Sequence, residues 1–207
     1  MIVQVGDANP AVTVDLARHA EAVGADAVAS LTPFYYHPGA ESVIEHYTRL
    51  ARATSLPVLI YNIPSNTGNN VDANLLSKLS RIPNVVGIKD SSRDFSQLLD
   101  YLKIVPDGFA VVNGTEAYQF SAFCAGVKAG VSATANVAPE LFVRMYEAYE
   151  SGDLKRGEQL QKRIHALRQA TSNPPLAPLL EALKIRGLKS GLGLDDLGRG
   201  RHAQGKP

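Results

Sequence analysis

The sequence predicts an α/β fold of the (β/α)8 TIM-barrel type, here carried by about six βα units, two short of eight. Three observations lead there. Short β-branched apolar runs recur along the 207 residues, nearly continuous in their apolar character, as strands covered on both faces are. Between them lie longer stretches with helical apolar spacing, so that strand starts fall about every 20 to 30 residues, the length of one βα unit. Polar and aromatic residues gather at the C-terminal ends of successive runs, the habit of a barrel whose βα loops build one site.

The runs are Ile2–Val5, Ala27–Leu31, Val58–Tyr61, Val85–Lys89, Phe109–Asn113 and Gly130–Thr134. After the first comes a helix with Val12, Leu16, Ala20 and Val23 as its apolar stripe, ended by Gly24. The second linking helix carries Val43, Ile44, Tyr47 and Leu50. Later helices centre on 75–79, 95–102, 118–124 and 141–149. A dinucleotide-binding open sheet would show a Gly-rich turn after its first strand. That turn instead reads Gly6-Asp7-Ala8-Asn9-Pro10, which favours the barrel. From 154 to about 187 the pattern is purely helical, broken at Asn173-Pro174-Pro175. Residues 1–150 are therefore expected to form the partial barrel and 151–188 a C-terminal helical extension. The glycine-rich stretch 189–207 is expected to be a mobile tail.

Composition narrows the function classes. The hydrophobic fraction of 45% and charged fraction of 20% are ordinary for a globular chain. A net charge of +1 gives no footprint for nucleic acid or an acidic membrane. The single cysteine, Cys124, suits a reducing compartment. No apolar run approaches a bilayer span, and residues 1–6 do not read as a signal peptide, so a cytoplasmic location is expected. No HExxH, CxxC or paired-histidine spacing suggests a metal, and neither GxSxG nor a phosphate loop occurs.

The chemistry-bearing candidates all lie just past strands. Lys89 closes an apolar run, where a partly dry barrel mouth would disfavour its charged ammonium. A neutral amine there can attack a carbonyl and form an imine; the alternative is a solvated strand-end lysine paired with Asp90. Tyr61 ends the neighbouring run, and its phenol could relay protons or be a satisfied core tyrosine. The loop after it, Asn62-Ile63-Pro64-Ser65-Asn66-Thr67-Gly68, is shaped by proline and glycine. Thr32-Pro33-Phe34-Tyr35-Tyr36 concentrates aromatics that would seal a pocket, meet another subunit or form a satellite core. Gly114 and the 132–136 segment are small enough for a ligand to approach backbone closely.

Taken together, Thr32-Pro33-Phe34-Tyr35-Tyr36, the 61–68 loop and Gly87-Ile88-Lys89-Asp90 resemble the dihydrodipicolinate synthase / N-acetylneuraminate lyase family, over about residues 2–187. The resemblance implies a metal-free, cofactor-independent class I aldolase or lyase on a (β/α)8 barrel. It implies that Lys89 forms a Schiff base with pyruvate or another 2-oxo acid and that Tyr61 is the proton relay. By the same likeness Tyr35 reaches a neighbouring subunit's site in a homo-oligomer, a dimer or tetramer. Gly114 and Val131 match positions that contact the 2-oxo acid through backbone. The family's first two βα units, with their Gly-Thr-Thr-Gly-Glu-like loop, have no counterpart, so a truncated barrel or an inactive family member is one expectation. Asn66 stands where synthases place a carboxylate-binding arginine. That ranks 2-keto-3-deoxy sugar-acid aldolase first, with 4-hydroxy-tetrahydrodipicolinate synthase or N-acetylneuraminate lyase behind it. The partners implied are a 2-oxo acid and an aldehyde.

Overall fold

Six strands join in one all-parallel sheet of sequential order: β1 (Ile2–Gln4), β2 (Ala27–Leu31), β3 (Val58–Asn62), β4 (Val85–Asp90), β5 (Ala110–Asn113) and β6 (Ala129–Gly130). A doubly wound sheet reverses direction at its middle; this one never does. The computed structural model describes residues 1–171 and 176–188. Among these, β1 and β6 each pair on one side only. The expected break at 173–175 and tail from 189 lie outside the described residues. Two compact units divide the chain, the first Met1–Val131 and the second from Ser132 onward.

Helices α1 (Pro10–Ala22), α2 (Ala40–Ala53), α3 (Pro64–Thr67), α4 (Ala73–Leu79), α5 (Phe95–Ile104) and α6 (Gln119–Cys124) link the strands. Side-chain oxygens of Asn9, Asp72 and Asp94 accept from backbone amides in the first turns of α1, α4 and α5, holding donors that a helix start leaves unpaired. The core lies between the helices and one sheet face: Val28, Val58, Ile60, Val85, Ile88 and Val111 pack with Tyr47, Leu50, Leu76, Leu79 and Leu98. The second unit holds α7 (Pro139–Glu150), α8 (Leu154–Thr171) and α9 (Ala177–Ile185), with Leu141, Met145, Ala148, Leu160 and Ile164 buried.

Two expectations need correcting. Of the expected α1 stripe only Ala20 is buried, joined by Thr13 and Ala17, while Val12, Leu16 and Val23 are exposed. Small side chains let α1 approach its neighbours closely, and the Thr13 hydroxyl accepts from the Asp7 amide at 3.0 Å. The last strand is two residues, not five. Beyond it the Ser132 hydroxyl accepts from the Ala135 amide at 3.1 Å, diverting the chain into a 3-10 turn at Thr134–Asn136.

Helix α2 buries a titratable group. His46 is 6% exposed, with Nε2 3.1 Å from the Ser30 hydroxyl and its ring edge-on to Tyr47. Desolvation lowers its pKa from 6.5 to about 4, against a hydrogen bond donated by the ring to the Leu31 backbone that raises it. Because the folded value is depressed, the neutral ring's stability is fully present above about pH 6.5 and is lost as pH falls through about 4. The loss amounts to about 3 kcal/mol in total. Urea unfolding between pH 7 and pH 4 should show this decline, and a His46→Gln variant should show a correspondingly shallower one.

Candidate active site

The site begins with a register shift. Val58 of β3 pairs with Val85 of β4, but Leu59 pairs with Gly87, leaving Val86 bulged. The shift brings Tyr61 opposite Lys89 and Asn62 opposite Asp90. Without it Tyr61 would face Ile88, whose side chain belongs to the helix-side core. A bulge moves a strand's side chains by one place relative to a neighbour, and here it aligns both chemistry-bearing residues at the C-terminal strand ends.

Lys89 and Tyr61 are both half-buried, and the lysine Nζ lies 3.7 Å from the Tyr61 ring centroid. The cation sits over the ring face, the geometry of cation–π attraction. Lys89 forms no salt bridge with Asp90, because successive strand side chains point to opposite faces. On the far side stands Gly114, just past β5. A Cβ built there would come 2.9 Å from Lys89 Cε, 2.9 Å from the Asp90 carbonyl oxygen and into contact with Ser91 Oγ. The lysine arm therefore runs between an aromatic ring and a backbone with no side chain.

The other predicted residues fall into two groups. Val131 adjoins the site through β5: its amide donates to the Asn113 carbonyl at 2.9 Å. The Gly114 amide likewise donates to the Asp90 carbonyl at 2.7 Å. Both N–H groups are thus engaged in the sheet. Asn66 lies on exposed α3, its Oδ1 accepting from the Ser65 hydroxyl at 2.9 Å. Tyr35 is 83% exposed, stacked edge-on with Tyr36. Its φ of 79° is a left-handed value unusual for a tyrosine. The loop bearing it is tethered where the Asn69 side chain donates to the Pro33 carbonyl at 2.5 Å and the Tyr36 carbonyl at 3.2 Å.

Behind the site runs a buried polar network that the sequence reading missed. Asn62 and Asp90 are fully buried, and Asn62 Nδ2 donates to Asp90 Oδ1 at 2.8 Å. The same amide donates to Asn70 Oδ1 at 2.9 Å and accepts from the Val71 N–H at 3.0 Å. Asp90 Oδ2 accepts from the Ser92 hydroxyl at 2.7 Å. Burial pushes the Asp90 carboxyl above its ordinary range, against the lowering effect of the Ser92 and Asn62 hydrogen bonds. The available signal was a polar residue ending each of two apolar runs, one place after Tyr61 and one after Lys89.

The model of the dihydrodipicolinate synthetase family matches residues 1–194. The chain belongs to this family. The 4-hydroxy-tetrahydrodipicolinate synthase of Archaeoglobus fulgidus is 35% identical over 179 residues, which are 85% of this chain and 61% of the relative. Among solved family structures, the E. coli K12 prophage protein YagE, in complex with pyruvate, superposes with a TM-score of 0.86. It is 25% identical, with 91% of this chain and 65% of that chain covered. A catalytic-lysine mutant of the Ruminococcus gnavus sialic acid aldolase gives a TM-score of 0.75 at 26% identity, covering 78% and 53% of the two chains. The chain spans about 60–70% of the length of such curated relatives of the dihydrodipicolinate synthetase family.

Among the described residues no cluster of three metal-ligating side chains occurs, and no helix is long and apolar enough to cross a membrane. In this family member the tightest steric constraint at the site is Gly114. A Gly114→Ala substitution should destabilise the fold by about 1–3 kcal/mol, because the methyl meets backbone that cannot yield. A lowered urea midpoint with an unchanged m-value would be the reading.

Proposed function

We propose that the chain is a Schiff-base-forming lyase on the eight-stranded barrel plan of its family, joining or cleaving pyruvate, or another 2-oxo acid, and an aldehyde. The observation that carries this reading is the Lys89 amine, 3.7 Å from the Tyr61 ring centroid at the ends of adjacent parallel strands. Support comes from the pyruvate complex and the catalytic lysine named for two structural neighbours.

In this scheme the Lys89 ammonium first gives its proton to water, and the free amine adds to the C2 carbonyl of the 2-oxo acid. The resulting carbinolamine takes up a proton and loses water to leave a protonated imine. That iminium is an electron sink, so C3 releases a proton and becomes an enamine carbon. The carbon attacks the aldehyde, and the Tyr61 hydroxyl supplies the proton that quenches the new oxyanion. Hydrolysis of the imine returns the lysine. The scheme needs no metal or cofactor. The backbone at Gly114 and Val131, which carries no bulky side chain at Gly114, would line the bound 2-oxo acid. Tyr35, exposed on its loop, would reach the site of a neighbouring subunit in a homo-oligomer.

The aldehyde partner is set by what faces it. Asn66 offers dipoles without charge, which favours a polyhydroxy tail of the keto-deoxy sugar-acid kind. The synthase name carried by the Archaeoglobus relative puts condensation with a carboxylate-bearing aldehyde on an equal footing.

Pyruvate with borohydride should leave a reduced secondary-amine adduct on Lys89, mapped by peptide mass. An unmodified Lys89 would refute the imine. A Tyr61→Phe variant should keep the adduct but lose about 100-fold in aldol turnover. Asn66→Arg should raise turnover of a carboxylate-bearing aldehyde about tenfold, by adding a charge-assisted bidentate contact. No change in the preference between charged and neutral aldehydes would remove Asn66 from the site.

A further inference from the structure

Beyond Tyr61 and Lys89 the ladder between β3 and β4 ends in a side-chain link. Asn62 and Asp90 are register partners, both wholly buried on the helix side of the sheet, and joined by the 2.8 Å bond from Asn62 Nδ2 to Asp90 Oδ1. The backbone continues the tie on either side. The Ser91 amide donates to the Asn62 carbonyl at 2.8 Å, and the Gly114 amide to the Asp90 carbonyl at 2.7 Å. Both N–H groups of the Asn62 carboxamide are used, by Asp90 and Asn70, and its oxygen accepts from the Val71 amide. The Tyr101 hydroxyl lies 3.4 Å from Nδ2 and donates to the Val71 carbonyl. Asp90 is held on its second oxygen by Ser92.

A fully buried carboxylate is a poor way to stabilise a core. Desolvation costs several kcal/mol, and a well-packed apolar pair is often as stable or more so. What a hydrogen-bonded pair supplies is direction: it holds two groups at one distance and one height, where apolar contacts would let them slide. Each member sits one residue past a chemistry-bearing side chain on the opposite face. Fixing the strand tips to one another fixes Tyr61 against Lys89.

We infer that Asn62 and Asp90 are positioning residues for the imine-forming pair, their cross-strand hydrogen bond holding the Lys89 amine over the Tyr61 ring. The inference rests on the imine reading above for its consequence, and on geometry alone for its cause.

Two readouts separate these. Reductive 13C-methylation places methyl groups on the Lys89 nitrogen, and the Tyr61 ring current should shift them upfield, with Lys89→Arg giving the assignment. Borohydride trapping with pyruvate gives a limiting rate and a half-saturating concentration. Asn62→Asp sets two acceptors face to face. It should abolish the upfield shift and lower the limiting rate about 100-fold, with half-saturation changed less than about twofold. The exchanged pair, Asn62→Asp with Asp90→Asn, restores donor to acceptor in the opposite sense and should recover both readouts.

The inference is overturned if folded Asn62→Asp keeps the methyl shift, if the exchange fails to restore it, or if the shift is lost without a fall in rate. Should Asn62→Asp not fold, Asn62→Ser, whose shorter side chain cannot span to Asp90 Oδ1, takes its place. An intact shift and rate in that variant would overturn the inference equally. A wild-type chain with the upfield shift but no pyruvate adduct defeats the imine reading, while the methyl signal still judges the positioning.

Discussion

The arrangement depends on the alignment of β3 with β4. Strand side chains alternate, so only a register that pairs Tyr61 with Lys89 can set both on one face at one height. The bulge at Val86 supplies that register. It comes at the start of β4, between Val85 in the helix-side core and Gly87, whose missing side chain accommodates the Ala110 carbonyl of β5. One extra residue is thus absorbed where the strand can tolerate it, three residues before Lys89.

The two faces of the sheet divide the work. The helix side is apolar along Val28, Ile60, Ile88 and Val111, and contributes the burial on which the first unit's stability rests. At the C-terminal ends that same side turns polar, with Asn62, Asp90 and Asn113 all fully buried. Asn113 repeats the Asn62 theme two strands on, donating to Gln119 Oε1 at 2.8 Å and to the Thr115 carbonyl at 2.9 Å. The Gln119 amide in turn fills the space a Gly130 side chain would take. Polar wedges of this kind end strands while keeping the departing loops tied down.

Much of this was legible in advance. Runs of β-branched residues marked the first five strands to within a residue at either end, because a buried strand leaves few alternatives to continuous apolar sequence. Lys89 and Tyr61 stood out as polar groups closing such runs. The Val86 bulge was not legible, since it depends on how two strands meet rather than on either alone. Nor was the full orientation of α1: Val12 and Leu16 are the more apolar residues, yet the buried face takes Thr13 and the small Ala17 beside the expected Ala20. Asn62 and Asp90 were visible as residues but not as a pair, because 28 positions separate them. The shortness of β6 followed from a local contest that the Ser132 hydroxyl won over the strand ladder.

Gly114 has a consequence for how such a scaffold can diversify. A position pressed against Lys89 Cε and the Asp90 carbonyl admits essentially one residue, so drift there is closed off. Asn66 on α3 and Tyr35 on the loop after β2, by contrast, are exposed and lie outside these contacts. Exchanges at those two places leave the reactive arm undisturbed. Substitutions at this rim can therefore accumulate without touching the contact between Lys89 and Tyr61.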